Sequence, residues 1–420
     1  MNIFNKLMQP VVKSFQQKMG FTFLILTVIC ALLFISGTWG GSMMSGSGHE
    51  FPGSSETPGS NPGVSENPNP NETPGNSTNN TNNNNNTNTN SEDDPQNNTQ
   101  DNPEATPNPA LNAVNPLSGL PIEEEKVRNK PIAIILSNEP ASLPMNGVSQ
   151  ADIIYEYLVE GGITRMMAVF QDITDVRMVG SIRSARHYTV QIAESHGALF
   201  VHAGGSPQAL AEIRSRGITN FDEVYGTRRN IFFRSRTRIS GRRLENLHSL
   251  VTTNTRIEEW LPHYNVNTEH NANYEQGFIF SDNATPTGGN TANEVIIRFS
   301  AAKTSAFAYN EANNVYHFRQ YGRDFIDANN SARVGFTNII VMRTSVTTIP
   351  GDTAGRRDVV TVGNGDGYFI NGGRYVEIRW SRADKASPFV YTHLDGTPLE
   401  FGRGATFIGV IPTRNVVDFG

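Results

Sequence analysis

The segment around Arg183 and Arg186 has the residue types of an anion-binding site. Ser184 lies between them and is a good helix N-cap, so both arginines are expected near the positive end of a helix dipole. Each cation there is unfavourable by a few tenths to ~1 kcal/mol. The pattern therefore predicts a compensating negative charge, which is either a bound anion or an internal carboxylate from Glu156 or Glu160.

A second candidate is the run His202-Ala203-Gly204-Gly205-Ser206-Pro207. Two glycines between a strand and a helix N-terminus expose backbone N–H groups that can bind an anion. The run has neither the lysine of a P-loop nor the three glycines of a dinucleotide fingerprint. Gly204, Gly205 and Ser206 are therefore candidate ligand-binding residues. A tight turn with an ordinary N-cap is the alternative, and His202 is equally compatible with an interior histidine.

Two carboxylates are candidates for acid–base chemistry. Gly161 and Gly162 predict a hairpin turn that Glu160 and Arg165 can close. Glu156 shares a strand face with apolar neighbours, where a carboxylate needs a partner or a raised pKa. If the protein is an enzyme, Glu156 and Glu160 are the candidates for general acid or base, with His202 or Arg183 orienting the substrate. Otherwise Arg165 joins the candidate anion-binding residues.

Residues 228–243 contain seven arginines, no lysine and no acid. Arginine favours bidentate contacts with carboxylate or phosphate, and Arg234, Arg236 and Arg238 are the central candidates. A solvated or internally paired surface is the alternative. The remaining histidines are scattered, and the chain has one cysteine. We therefore expect no metal site, no cofactor and no internal disulfide.

The first 40 residues predict a cytoplasmic stub and a membrane anchor. Residues 21–35 are apolar, and the run approaches the ~20 residues of a membrane helix when it is extended a few residues further. Three lysines precede it, which places the C-terminal part outside the cytoplasm. A cleaved signal peptide is the alternative. Cys30 lies inside the run and not at its end, which favours a buried membrane cysteine over a lipidated one.

Residues 41–115 predict a disordered linker. They are rich in Asn, Pro, Ser and Thr and contain nine acids without a lysine or arginine. Residues 116–420 contain 31 basic and 31 acidic residues, so the net charge of −6 reflects mainly the linker. The neutral globular part and the anchor topology exclude a basic nucleic-acid binder and indicate a tether that holds a domain away from the membrane.

The remaining chain predicts an α+β fold. We expect an α/β domain over 116–265, a connector over 266–289 and a β-rich domain over 290–420. Helices are expected from Ser184 to about His196, from Pro207 to Gly217, and over much of 241–261. The strongest strand patterns cover 132–136, 152–159, 166–171, 198–202, 294–299, 338–343, 358–362, 375–380 and 406–411.

Several strings in this order resemble a bacterial family, the YerB-like lipoproteins. They cover roughly 115–420 and include Asn115-Pro116-Leu117-Ser118-Gly119-Leu120-Pro121, Ser149-Gln150-Ala151-Asp152-Ile153-Ile154-Tyr155-Glu156, Glu160-Gly161-Gly162-Ile163-Thr164-Arg165, Ile182-Arg183-Ser184-Ala185-Arg186, His202-Ala203-Gly204-Gly205-Ser206, Asn338-Ile339-Ile340-Val341, Trp380-Ser381 and Asp395-Gly396-Thr397-Pro398-Leu399.

The resemblance implies an N-terminal and a C-terminal family domain in a layered β-β-α sandwich on the outer face of the membrane. It brings no established activity, and the position of Cys30 departs from the lipoprotein pattern. Together with the residues, it leads us to expect a membrane-anchored envelope protein that binds an anionic wall polymer or a partner protein. The alternative is an enzyme that cleaves peptidoglycan glycan or peptide through Glu156 and Glu160.

Overall fold

A computed structural model describes residues 112–237, 241–271 and 274–420, which form a strand-rich α+β fold. The predicted α+β class is confirmed. No helix within these ranges is long and apolar enough to cross a membrane. The predicted anchor at 1–40 and nearly all of the predicted linker lie outside the described residues.

The elements of the described residues are mostly short. The helices are α1 (Glu124–Val127), α2 (His187–Ser195), α3 (Pro207–Arg216) and α4 (Asn254–Trp260). The strands are β1 (Ala113–Val114), β2 (Pro121–Ile122), β3 (Ile132–Ser137), β4 (Ile153–Leu158), β5 (Thr164–Phe170), β6 (Val179–Gly180), β7 (Leu199–His202), β8 (Asn220–Asp222), β9 (Phe233–Arg234), β10 (Leu250–Thr252), β11 (Ile279–Ser281), β12 (Asn290–Thr291), β13 (Glu294–Ser300), β14 (Lys303–Asn310), β15 (Val315–Gln320), β16 (Arg323–Asp324), β17 (Gly335–Phe336), β18 (Asn338–Thr344), β19 (Val346–Thr348), β20 (Arg357–Val359), β21 (Gly363–Asn371), β22 (Arg374–Arg382), β23 (Val390–His393), β24 (Glu400–Gly402), β25 (Thr406–Pro412) and β26 (Val417–Phe419).

The largest sheet has eleven strands and draws on both halves of the chain. Its order is β12-β22-β21-β18-β25-β4-β5-β3-β7-β8, and β23 also pairs with β22. The halves meet where β25 pairs in parallel with β4, with Thr406 opposite Ile153. The expected boundary between 116–265 and 290–420 therefore divides the chain but not the sheet.

Two hydrophobic cores lie on opposite faces of this sheet. Ile134 and Leu136 of β3 belong to one core, whereas Ala133 and Ile135 belong to the other, because side chains alternate along a strand. The first core is completed by the six-stranded sheet of β16, β15, β14, β13, β26 and β17. Helices α2 and α3 complete the second core. Burial on both faces explains why β3 and β4 are almost continuously apolar.

The helix predictions succeed where the capping residues are unambiguous. Helix α3 has Pro207 in its first turn and a Ser206 side chain that accepts the N–H of Ala209 at 3.1 Å. It ends at Gly217, whose φ of 64° is in the left-handed region.

Two other helix predictions were partly wrong. Helix α2 begins at His187, because the Thr189 hydroxyl accepts the N–H of Arg186 at 3.0 Å, and the predicted cap at Ser184 precedes the helix. The helix expected over 241–261 is limited to α4, because the residues before it form β10, which pairs with β6 and β9.

Two segments that were predicted to lack regular structure, the end of the linker at 115 and the connector at 266–289, contain short β-strands. The predicted linker end at 115 overlaps β1, and the buried side chain of Asn115 donates to Asp152 at 2.9 Å. The polar connector at 266–289 contains β11, which pairs in parallel with β24.

A buried polar network joins the two sheets across the first core. The carboxylate of Glu156 on β4 is 3.1 Å from the amine of Lys303 on β14, and the two side chains are 0% and 1% exposed. Ser305 donates to Glu156 Oε2 at 2.7 Å, and Thr164 and Asn138 donate to Oε1 at 2.7 and 2.9 Å.

The lysine of this network is also fully engaged. Its amine donates to Gln320 Oε1 at 2.7 Å and to Ser305 Oγ at 2.8 Å. Burial lowers the pKa of Lys303, while the carboxylate of Glu156 acts in the opposite direction. The apolar strand face thus tolerates Glu156 because the second sheet supplies a cation and a hydroxyl.

Replacing Lys303 by Met keeps the length of the side chain and leaves Glu156 buried without a cation. We expect the K303M protein to lose about 3–5 kcal/mol in free energy of unfolding, measured by urea denaturation. The control is Arg319→Met, since Arg319 is 47% exposed and 3.5 Å from Asp324; its cost should stay below about 1 kcal/mol. Equal losses in both variants would show that the network does not hold the sheets together.

Candidate anion-binding site

The hairpin between β4 and β5 carries Glu160 at its tip. Leu158 pairs with Thr164, and the connection is a short 3-10 turn over Glu160–Gly162. Gly161 and Gly162 have φ values of 69° and 74°, in the left-handed region where glycine is at no steric disadvantage. The predicted hairpin is therefore present, and its two glycines are needed for the conformation of the turn.

The turn places Glu160 beside two arginines, and we call Glu160, Arg165 and Arg186 the arginine cluster. Arg186 makes a two-point contact with Glu160, in which its Nε lies 3.1 Å from Oε2 and its Nη2 donates to Oε1. Arg165 Nη2 is 4.0 Å from Glu160 Oε1. Backbone carbonyls take further donors, since Arg186 reaches Ala185 O at 2.8 Å and Arg165 reaches Ser184 O at 2.7 Å.

The arginine cluster contains two positive charges and one negative charge, and its arginines are buried from water. Arg165 and Arg186 are 7% and 4% exposed, and among the described residues Glu160 is the carboxylate within 4 Å of either. Burial lowers the pKa of Arg165 to about 10, and the charge of Arg186 acts in the same direction. Burial alone would raise the pKa of Glu160, but the hydrogen bond and charge of Arg186 outweigh it, so that pKa is lowered.

The internal carboxylate expected for the Arg183 and Arg186 segment is therefore present for Arg186, and it is Glu160. Arg183 is directed elsewhere and pairs with Glu139 at 3.0 Å. Glu156 contacts neither arginine, because it belongs to the network between the sheets. The sequence brought the two arginines together as neighbours, but the fold gives each its own carboxylate.

The two candidate catalytic carboxylates lie on opposite faces of the large sheet. Glu156 points into the first core with Ile154 and Leu158, toward Lys303. Glu160 contacts Arg165, whose cross-strand partner Tyr157 belongs to the second core. The pair therefore does not flank a common space where one glycosidic bond can sit between them.

The glycine turn before α3 uses its polar groups internally. The N–H of Gly204 donates to Asp222 at 2.6 Å, and the N–H of Ser206 donates to Ala185 O at 3.1 Å. His202 is buried, and its Nδ1 lies 2.9 Å from the carbonyl oxygen of Gly204. Burial lowers the pKa of this histidine. These contacts match the alternative of a tight turn and an interior histidine.

We call residues 228–243 the arginine-rich loop. Its arginines Arg229 and Arg234 form ion pairs outside the arginine cluster. Arg234 is 3.6 Å from Glu223, which is also 3.8 Å from Arg229. Arg236 is exposed. Arg238 lies outside the described residues.

A cleft with a volume of about 510 Å³ opens beside the Glu160 turn, and we call it the cationic cleft. Gly162 of the turn lines it, together with Arg298, Arg357 and Arg414 from the second half of the chain. It adjoins the cluster, because Asp358, next to Arg357, is 2.8 Å from His187, next to Arg186. Sequence reasoning missed these three arginines, since they lie far apart in the sequence and only the fold brings them to one cleft.

Comparison with known proteins identifies related sequences and a related fold. Residues 117–266 match the family described as "Protein of unknown function (DUF3048) N-terminal domain", and residues 295–408 match its C-terminal domain. The "Putative lipoprotein YerB" of Bacillus subtilis (strain 168) is 26% identical over 328 residues, which cover 74% of this chain and 89% of that protein. The expected resemblance to YerB-like lipoproteins is confirmed.

A solved structure supports the same relationship. The crystal structure of the YerB protein from Bacillus subtilis superposes with a TM-score of 0.63 at 25% sequence identity. The match covers 73% of this chain and 99% of that chain. The matched part of this chain thus shares its fold with a protein of known structure.

The pKa of Glu160 predicts a pH-dependent contribution to stability. Because this pKa is lower in the fold than its ordinary value of 4.5, the carboxylate stabilises the fold above that value and loses its effect as pH falls through the folded pKa. We expect Glu160→Gln to lower the free energy of unfolding by about 1–3 kcal/mol at neutral pH. The difference from wild type should narrow at about pH 3.

Urea denaturation at both pH values measures this effect. The matched control is Glu259→Gln, which removes an exposed carboxylate on α4 and should change stability little at either pH. A wild-type advantage over E160Q that is the same at both pH values would show that Glu160 contributes through packing and not through its charge.

Proposed function

We propose that this chain, which belongs to the DUF3048 family with the N-terminal and C-terminal family segments in order, is a non-catalytic envelope protein that binds an anionic ligand. It is attached to the cytoplasmic membrane through its N-terminal apolar segment and works outside the cytoplasm. The name of its Bacillus relative, "Putative lipoprotein YerB", supports membrane attachment. The intact mass of the membrane-extracted protein distinguishes a retained helix from a lipid on Cys30.

The observation that carries the proposal is the excess positive charge of the arginine cluster. Two buried guanidinium groups share one carboxylate, and burying an incompletely compensated charge is costly. An anion that approaches the cluster lowers that cost, because it interacts favourably with the excess positive charge. The cluster therefore favours a negatively charged ligand. Outside the cytoplasm, the polymers and proteins of the cell wall supply phosphate and carboxylate groups in abundance.

The enzyme alternative has less support. Both oxygens of Glu156 accept hydrogen bonds from buried donors, and this carboxylate is 0% exposed. Glu160 is held by Arg186, and its lowered pKa makes it a poor proton donor at neutral pH. His202 is buried against Gly204. These contacts favour structural roles for all three candidate catalytic residues.

Binding of a partner protein is a second candidate, favoured by the surface next to the arginine-rich loop. Tyr225 and Leu247 are 69% and 58% exposed, and exposed aromatic and apolar side chains next to arginine are typical of protein interfaces. Arg234 links the two positions, since it pairs with Glu223 and donates to Asn246 O at 2.7 Å. Binding at this surface would not depend on Glu160.

The test is retention of the full-length protein, in non-ionic detergent, on isolated cell-wall sacculi. We expect retention at low ionic strength that weakens as salt is added, because the contact is electrostatic. Mass spectrometry should find no fragments released from the sacculi. New fragments that vanish with Glu156→Gln or Glu160→Gln would replace the proposal by the enzyme alternative, and no retention at low salt would refute it.

Glu160→Gln sharpens the same assay. The substitution removes the negative charge that competes with an external anion, so the E160Q protein should be retained more strongly than wild type, by about two- to fivefold in affinity. Glu259→Gln makes the same change in net charge on α4 and should leave retention unchanged. Equal strengthening in both variants would indicate an unspecific charge effect.

A further inference from the structure

We propose that the cationic cleft binds the phosphate groups of a phosphodiester ligand, in contact with Arg357 and Arg414. This inference rests on the proposed function and narrows it to a place and a ligand class. The cleft is built by both halves of the chain: Leu158 and Gly162 lie in the first family segment, Arg298 and Arg357 in the second, and Arg414 follows the second segment. A binding site there requires both halves to be folded together.

The lining of the cleft is cationic and contains no carboxylate among the described residues. Arg298 is already neutralised, because its Nη2 and Nε lie 2.6 and 3.0 Å from Asp418. Arg357 and Arg414 have no ion pair within 4 Å among the described residues, so they give the cleft its unbalanced charge.

Arg357, which lines the cleft, has a buried donor without a partner among the described residues. Its Nη1 contacts the hydroxyl of Thr348, but its Nε is buried and has no hydrogen-bond partner among the described residues. A buried N–H without an acceptor is costly. The guanidinium of Arg357 is therefore incompletely satisfied within the described residues, which adds to its lack of an ion pair.

The shape of the cleft favours a phosphate ester over an isolated ion. Its volume of about 510 Å³ exceeds that of a single phosphate and falls in the range of small-ligand sites. Phe299, Pro412 and Leu158 supply an apolar lining for the organic part of a ligand. The two unesterified oxygens of a phosphodiester can accept hydrogen bonds from two different guanidinium groups, and its organic part can contact the apolar lining.

The arginine cluster is joined to the cleft by the turn that carries Glu160, and it adds to the positive charge near the ligand site. Gly162 lines the cleft and belongs to the turn that carries Glu160. The hydroxyl of Ser300, another lining residue, donates to the carbonyl of Gly162 at 2.6 Å and fixes the turn against β13. Arg165 and Arg186 contact Glu160 of this same turn, so their excess charge adds positive potential near the cleft.

The experiment is calorimetric titration of the full-length protein, in non-ionic detergent at low salt, with a glycerol phosphate oligomer joined by phosphodiester bonds. Arg357→Gln and Arg414→Gln should each weaken binding by about fivefold, and the double variant by at least about 20-fold. The control is Arg379→Gln, an exposed arginine of β22 with the same change in net charge. It should bind within about twofold of wild type.

Arg414 is exposed, so its substitution is expected to leave the fold intact, and thermal unfolding of each variant verifies this. Wild-type affinity in the folded double variant would overturn the assignment of the cleft, while retention on sacculi would leave the proposed function standing. If the wild-type protein neither binds the oligomer nor is retained on sacculi, both the assignment of the cleft and the proposed function are refuted. Tighter binding of citrate than of the oligomer, with the same dependence on Arg357 and Arg414, would replace phosphate by carboxylate as the ligand class.

Discussion

The buried ion pair between Glu156 and Lys303 is the constraint on which the layered structure depends. It places a carboxylate of the large sheet against an amine of the second sheet, with both side chains removed from water. Such a pair is tolerated only when further donors and acceptors complete it, and Ser305, Thr164 and Gln320 do so. The second sheet is therefore fixed in one register over the first core, where apolar contacts alone would permit small shifts.

That register decides where the arginines of the second half lie. Strand β14 begins at Lys303, and its neighbour Thr304 already lines the cationic cleft. On the other side of the large sheet, the β4–β5 hairpin carries Glu160 to Arg165 and Arg186. Strand β4 and the turn after it thus supply one carboxylate to each face of the large sheet. Glu156 joins the two sheets, and Glu160 partly neutralises the arginine cluster.

The sequence predicted what short-range rules determine. The caps of α3, the glycine turn of the β4–β5 hairpin and the apolar strands of the large sheet all follow from local patterns. The partner of Glu156 was not predictable, because Lys303 lies 147 positions away and has no local signal of burial.

Similarly, the sequence marked Arg186 and Glu160 as a pair of candidates but gave no means of choosing between Glu160 and Glu156. Only the face on which each residue lies settles that choice. The arginines of the cleft come from β13, β20 and the segment after β25, so their proximity is a property of the assembled sheets.

An anion bound beside the Glu160 turn is tested most directly by locating a bound tetrahedral anion in a crystal. Crystals of the protein soaked in tungstate would show it in an anomalous difference map. We predict a peak in the cationic cleft, within hydrogen-bonding distance of Arg357 and Arg414. Anion density restricted to the arginine-rich loop at 228–243, with none in the cleft, would contradict the account.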